Sequence, residues 1–315
     1  CNRRSFALSC ECMTLIAISL VILSAAIHAL WNVFSKSKKP TPSFFLLASL
    51  LGTALLAPIL LLHSSTVFSD IPSQVWVFLI IAGFFMSLYY VSLARAYRVG
   101  DLSVAYPIVR ALPVVIVLIV VVYLGRADQV TYQSVAGGLI VVLGCFMVPL
   151  KGFKGFRLSD YWNLTCAMAL IAAISTAGYS MVDDEALKYL RSDSQFDSDN
   201  TSTAILYAFL EACITSAWMA LYVLMRRQSR VEFMQLIRFD KSHAFVAAIG
   251  IHLSYTLVLV ALAFADNVSY IVAFHRLSIP LGAALGILIL KEQPYPTKII
   301  GVLVVLIGLV CVALG

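Results

Sequence analysis

The sequence predicts an all-α polytopic membrane protein, with ten transmembrane helices arranged as two inverted five-helix repeats. Three observations carry that prediction. The first is composition: 61% of the 315 residues are hydrophobic and only 12% charged, with a mean hydropathy of +0.95, whereas soluble chains carry about 25% charged residues. The second is run length, because the apolar stretches reach roughly 20 residues, enough to cross a ~30 Å hydrocarbon core. The third is repetition, set out below. Continuous runs exclude a β-barrel, whose strands are alternating segments of ~10 residues. The composition also excludes a soluble enzyme, a nucleic-acid-binding domain and a disordered chain. The net charge of +6 is therefore read as a topology signal, not as a nucleic-acid footprint.

Apolar runs bounded by charges, Pro or Gly give the ten spans in order. The first, 13–35, opens at Met13 and stops before Lys36; the second, 43–62, follows Pro42. The third, 74–97, and the fourth, 102–124, are parted by Gly100-Asp101, and the fifth, 130–150, stops at Lys151. The sixth, 161–183, runs into Asp183-Asp184-Glu185, and the acidic, Ser-rich connection Lys188 to Thr203 leads to the seventh, 203–225. The eighth, 243–264, the ninth, 267–290, and the tenth, 296–314, complete the set, all other connections being short loops. Residues 1–12, with Cys1, Cys10 and Cys12, read as a processed leader or an over-extended frame, folding starting near Met13. The other cysteines, Cys145, Cys166, Cys213 and Cys311, sit singly in apolar runs without metal-ligand spacing, and no cofactor is expected.

The repeat is visible in particular residues. Gly137 and Gly144 in span five answer Gly301 and Gly308 in span ten, each pair seven apart on one helix face. Such faces let helices approach closely, either inside the chain or in a homodimer. Arg110-Ala111-Leu112-Pro113 in span four answers Arg276-Leu277-Ser278-Ile279-Pro280 in span nine, and Tyr89-Tyr90 answers Tyr255-Thr256. The halves are 13–150 and 151–315, and an odd number of helices per half makes the second enter from the opposite side. Inverted repeats with a site at their interface are a transporter architecture.

Basic residues set the expected orientation. Fifteen of the 22 Lys and Arg lie in odd-numbered loops, from Lys36, Lys38 and Lys39 through Arg95, Arg98, Lys151, Lys154, Arg157 and the Arg226–Lys241 group to Lys291 and Lys298. Five lie in even loops (Arg126, Lys188, Arg191) or the leader (Arg3, Arg4), and Arg110 and Arg276 are intramembrane. Odd loops are thus expected in the cytoplasm and both termini outside. The expected location is a plasma membrane of the bacterial inner-membrane kind.

Several of these residues together resemble the EamA family of the drug/metabolite transporter superfamily. They are His28-Ala29-Leu30-Trp31-Asn32-Val33, Gly100-Asp101-Leu102-Ser103-Val104-Ala105-Tyr106-Pro107 with Arg110-Ala111-Leu112-Pro113, Tyr179-Ser180-Met181-Val182-Asp183, Arg276 to Pro280, and Lys291-Glu292. The resemblance covers nearly all of Met13–Gly315. It implies two inverted repeats around a central cavity and alternating access for small metabolites, often as exporters. Two features depart from the family. Leu124-Gly125-Arg126 stands where an acidic residue often follows the fourth span, and many relatives keep their termini inside.

Charged groups inside a bilayer cost about 2.5–3.5 kcal/mol each on insertion scales, so they are candidate site residues. Arg110 and Arg276 each fall roughly 5 Å from the midplane at 1.5 Å per residue, on opposite sides of it. Their guanidinium forks match a carboxylate or phosphate; the plainer reading is a structural ion pair. Glu211, with Tyr207, Thr215 and Trp218 on its face, reads as a cavity wall, or as the partner in a buried Arg–Glu bridge. Asp183 reads as a site acid or as part of a solvated helix end. Asp183, Glu211 and His28 are the candidates for ion or proton coupling. Asn32 can bond a substrate or a neighbouring helix, and His28, His275 and His252 are equally plausible as satisfied structural groups. Trp31, Tyr89, Tyr106 and Tyr179 are candidate cavity lining, with Tyr90, Tyr207, Tyr255 and Tyr270 in the same class, against belt and core filling. Pro107, Pro113 and Pro280 permit kinks. No metal site is expected. The sequons at Asn163, Asn200 and Asn267 are of a kind common by chance.

The function expected is secondary transport of a small organic metabolite, an amino acid or related zwitterion or anion, by an exporter in the lipid bilayer. The substrate-binding residues are expected to be Arg110, Arg276, Glu211, Asn32, Trp31, Tyr179, Tyr89, Tyr106 and His275. The alternative is a multidrug or lipophilic-cation exporter of the same fold. A channel lacks its filter loop, and an intramembrane enzyme lacks G-x-S-x-G or H-E-x-x-H.

Overall fold

The computed structural model describes residues 15–62, 71–125, 131–152, 161–192, 200–262 and 275–314. The expected leader 1–12, Arg126, Lys154 and Arg157, residues 193–199 of the acidic connection, and Asn267 and Tyr270 in the opening of the ninth span lie outside the described residues. Among those described, the chain is helical and holds no strand.

The helices are α1 (Leu15–Ser37), α2 (Pro42–Leu56), α3 (Ser73–Val99), α4 (Leu102–Tyr123), α5 (Tyr132–Met147) and α6 (Leu164–Ser192). They continue as α7 (Asn200–Leu224), α8 (Arg227–Gln235), α9 (Lys241–Leu262), α10 (Ser278–Ile289) and α11 (Pro296–Ala313). A 3-10 stretch over Ala57–Leu62 prolongs α2. Counting that stretch with α2, the helices α1, α2, α3, α4, α6 and α7 are long and apolar enough to cross a membrane; α5, α10 and α11 are shorter apolar helices. The chain is a multi-pass membrane protein.

Short polar residues fix several starts. Thr41 accepts a hydrogen bond from the Phe44 amide at 3.2 Å, with Pro42 opening α2. Thr131 accepts from the Ser134 amide at 3.0 Å at the head of α5. Asn163 accepts from the Cys166 amide at 2.9 Å before α6. Each satisfies an amide that the first turn leaves without a helical partner. Pro107 and Pro113 lie inside α4, which stays helical through both.

Two elements differ from the sequence reading. The sixth helix does not stop at residue 183 but runs to Ser192, so Asp183 lies inside it and is buried. The three neighbouring acids are not one solvated end, because burial alternates along a helix with its 3.6-residue turn. The segment after Arg226, expected as a loop, instead forms α8 and a π-helical turn over Leu236–Asp240. Its charged, largely exposed face gave no apolar run to read.

Packing is most extensive between α3 and α6, between α5 and α11, and between α1 and α9. The glycines of α5 and α11 meet one another: a Cβ on Gly137 would lie 2.7 Å from the Gly308 carbonyl oxygen, and one on Gly144 2.8 Å from that of Gly301. Of the two arrangements expected for these faces, packing inside the chain is present between α5 and α11. Outward positions are large and apolar, such as Ile119, Leu139 and Ile307, all more than half exposed. The interior is instead rich in Ala, Ser and Thr. Ser49 and Ser216 share a 2.8 Å bond between α2 and α7, and Ser24 donates to the Ser254 carbonyl at 2.6 Å between α1 and α9. Small residues and interhelical hydrogen bonds inside, with bulky side chains outside, are the packing rules of a bilayer.

Candidate functional site

A cavity of about 290 Å³ lies where α1, α2, α3, α4, α6, α7 and α9 converge with the turn before α10. One end of it is basic. Arg110 projects from α4 beside Pro113, and Arg276 comes from the turn leading into α10 rather than from within a helix. The Arg276 Nη1 donates to the Arg110 carbonyl at 2.9 Å, while Arg110 Nη2 lies 3.2 Å from His275 Nδ1. That carbonyl is one residue past the one Pro113 deprives of its helical donor. The two arginines are therefore side by side, not merely flanking the midplane. Neither forms an ion pair with a carboxylate among the described residues, so the Arg–Glu bridge weighed from the sequence is not made there.

The same end gathers nitrogens without a partner in the protein: Nε of both arginines, Nε2 of His28 and of His275, and Nε1 of Trp31. His28 meets the Trp31 ring edge-on at 5.1 Å and the His275 ring at 5.4 Å. Buried polar groups are normally hydrogen-bonded, and five unpartnered nitrogens around one cavity end form a receptor for an acceptor group. The arginines supply it with charge.

The opposite wall is acidic and aromatic. Glu211 on α7 lines the cavity with its Oε1 unpartnered, and Thr215, one turn on, also has a free hydroxyl there. Tyr89 and Tyr179 face one another at 6.1 Å, and Tyr90 stands edge-on to Tyr89 at 5.1 Å. Of the residues expected from the sequence, the cavity thus gathers Arg110, Arg276, Glu211, Trp31, Tyr179, Tyr89, His275 and His28.

Three expected residues lie elsewhere. Asn32 donates to the His28 carbonyl at 2.7 Å and accepts from the Tyr97 phenol at 2.6 Å, so both ends of its amide are used in packing. Tyr106 is buried against Gly282, where an added Cβ would sit 2.5 Å from its ring. Asp183 stands behind the wall, its Oδ1 accepting from the Tyr207 phenol at 2.8 Å. Trp218 also turns away, donating to the Ile80 carbonyl at 3.1 Å. Ser49, Met86 and Thr176 line the cavity and were not singled out, and Ser180, read only as part of a motif, lines it too; Thr176 was findable, since it lies three residues before Tyr179 on one helix face. Among the described residues no three His, Cys, Asp or Glu are placed to hold a metal.

The sequence reading also missed a polar corner that ties off one end of the bundle. Glu292 accepts from the Leu102 and Ser103 amides at 2.6 and 2.8 Å and from the Ser103 hydroxyl, capping the start of α4. Lys298, 1% exposed, pairs with Asp101 at 3.1 Å, and Lys36 donates to the Tyr97 and Gly100 carbonyls. Away from this corner, the cavity lining reaches Leu56 and Val258, near the far ends of α2 and α9.

The model of the EamA-like transporter family matches residues 15–150. Over those residues the chain is similar to that family. That family is one of the families of the drug/metabolite transporter superfamily. Among solved structures, one crystal structure aligns over 93% of this chain and 95% of its own, at 18% identity and a TM-score of 0.55, a likeness of fold alone. No curated protein matches the sequence. The EamA-like half supplies His28, Trp31, Tyr89, Tyr90 and Arg110 to the cavity, and Glu211, His275 and Arg276 come from beyond it.

Proposed function

We propose that the chain is a ten-span secondary transporter built of two inverted repeats, 13–150 and 151–315, which carries a small zwitterion such as an amino acid by alternating access. The observation that carries this reading is the pair Arg110 and Arg276, the first buried and the second half-buried at a cavity, free of any ion pair with a carboxylate among the described residues, and surrounded by unpartnered nitrogens. A substrate carboxylate docks there, and Glu211 across the cavity takes the cationic group. The aromatic wall of Tyr89, Tyr90 and Tyr179 shields the apolar remainder.

The pairing of helices supports the repeat. Numbering spans one to ten as α1–α7, α9, α10 and α11, the most extensive contacts reappear when five is added to both members. Span three on six matches eight on one, four on six matches nine on one, and three on seven matches eight on two. The contacts of two on seven, four on nine and five on ten map onto themselves. The Glu292–Lys298 corner closes the odd-loop end, which suits a carrier whose site opens to one side at a time. The unpaired guanidiniums favour this substrate over a lipophilic cation, which they would repel.

The test is counterflow in proteoliposomes preloaded with an equimolar mixture of the common amino acids, comparing wild type with Arg110→Ala and Arg276→Ala. Each charge-assisted contact is worth about 1.5–3 kcal/mol, so each variant should lose roughly 10- to 100-fold in apparent affinity. Equal exchange by wild type and both folded variants would remove the arginines from the site.

A further inference from the structure

A second cavity, of about 600 Å³, lies away from the central one, between α5 and α6 at the odd-loop end of the bundle. Those two helices both pack on α4 but hardly on each other, which leaves a gap with α4 as its floor. Ile108 and Leu112 form the floor, Cys145 and Phe146 one bank, and Cys166 and Leu170 the other. Protein interiors are close-packed, with few voids larger than a water molecule, so a gap of this size calls for an occupant. Its banks continue into outward apolar surface, with Leu139, Leu143 and Phe146 exposed on α5 and Leu164, Leu170 and Ile174 exposed on α6. The gap therefore faces the hydrocarbon of the bilayer. Its mouth carries the groups found at a membrane interface. These are Trp162, 92% exposed, Tyr161, whose phenol donates to the Phe146 carbonyl, and Lys151, exposed two residues past Pro149 of the lining.

We infer that this gap is a phospholipid site, with one acyl chain lying against α4 and the phosphate held at Lys151. The apolar banks suit a hydrocarbon chain, and a lysine at headgroup depth attracts the anionic phosphate. A polar solute would bury its polar groups there without partners, which is costly. The site also bears on the central cavity, because α4 is a wall of both. Ile108 and Leu112 are one turn apart on one face, and Arg110, two residues from each, lies about 200° round the helix, on the side of the central cavity. Pro107 and Pro113 flank this stretch and withhold two amides from the helical ladder, so it is the part of α4 most easily displaced. An acyl chain wedged behind it holds Arg110 toward the cavity, and loss of the lipid lets it recede. This inference stands whatever the central cavity carries.

The full chain, stripped of lipid in detergent, is titrated with dioleoyl phosphatidylglycerol and read by native mass spectrometry. Wild type should retain one lipid under activation that removes any others. Ala167→Phe, which fills the gap from α6, should abolish that retention. Leu139→Phe, on the outward face of α5 and outside the gap, should keep it, and so separates filling from misfolding. Lys151→Gln should weaken it about 2- to 5-fold, the worth of an exposed ion pair. Inorganic phosphate should not displace the lipid; displacement would make this an ion site and overturn the acyl-chain assignment. Lipid should also slow hydrogen exchange of the α4 amides around Arg110 in wild type and leave it unchanged in Ala167→Phe. Retention by folded Ala167→Phe equal to that of wild type overturns the proposal, as does a wild type that retains no lipid. A dimer that Ala167→Phe dissolves would give the gap to a second copy and overturn it equally. Lipid retained with no change in α4 exchange overturns the link to Arg110.

Discussion

Replacing Gly137 by alanine should destabilise the protein, while the same replacement at the next residue should not. A Cβ on Gly137 would lie 2.7 Å from both the Gly308 carbonyl oxygen and the Val312 amide nitrogen. Ordinary contact begins at 3.4 Å, so α11 must retreat from α5 by about 0.7 Å, and both obstructing atoms are backbone that no rotamer change can move. Overpacking of this kind costs about 1–3 kcal/mol. On Gly138 the nearest atom is Leu118 Cδ1 at 3.3 Å, the end of a flexible side chain. Alanine gains the same helix propensity at both sites, about 1 kcal/mol over glycine, so the difference between the variants isolates the packing cost. Thermal unfolding in detergent, followed by the loss of the monodisperse peak, should place Gly137→Ala about 1–3 kcal/mol below Gly138→Ala. Adding Gly308→Ala to Gly137→Ala should cost less than the sum, because one retreat of α11 relieves both clashes. Equal stability of Gly137→Ala and Gly138→Ala would refute the close approach of these helices.

Other expectations follow from single contacts. Tyr97→Phe leaves the Asn32 carboxamide oxygen without its donor, so stability should fall by about 1–3 kcal/mol, with KM for transported substrate unchanged. A raised KM at unchanged stability would return Asn32 to the site. Glu292→Gln replaces a carboxylate that caps the first amides of α4; those amides should exchange hydrogen faster, and unchanged exchange would deny Glu292 that role. Ser49→Ala and Ser216→Ala, measured singly and together, should give a coupling of about 0.6 kcal/mol, and none if their shared bond is not formed.

The arginines were legible because a charge in an apolar run has nothing near it in sequence to explain it. Arg110 and Arg276 stood out for that reason, and the fold brings them together at one end of the cavity. Glu211 and its Tyr207 and Thr215 neighbours were readable from helical spacing alone. Asn32 was as conspicuous as the arginines, but its partner is Tyr97, 65 residues away on α3, and nothing in a local pattern distinguishes a side chain bound by a distant helix from one left for a ligand. The polar corner was misread for a related reason. Lys36 and Lys298 stand at span ends, where a lysine ordinarily meets water and lipid headgroups. Yet Lys298 is buried against Asp101, and Lys36 is spent on two carbonyls at the end of α3. Cations held this way report helix ends that must be neutralised, not the side of the membrane on which they sit. Removing both from the topology count still leaves the odd-numbered loops well ahead, so the proposed orientation rests on the exposed Arg226, Arg227, Arg230 and Arg238 around α8. Introducing cysteine at Gln228 tests it: labelling of intact cells by a membrane-impermeant maleimide would place α8 outside and reverse the orientation.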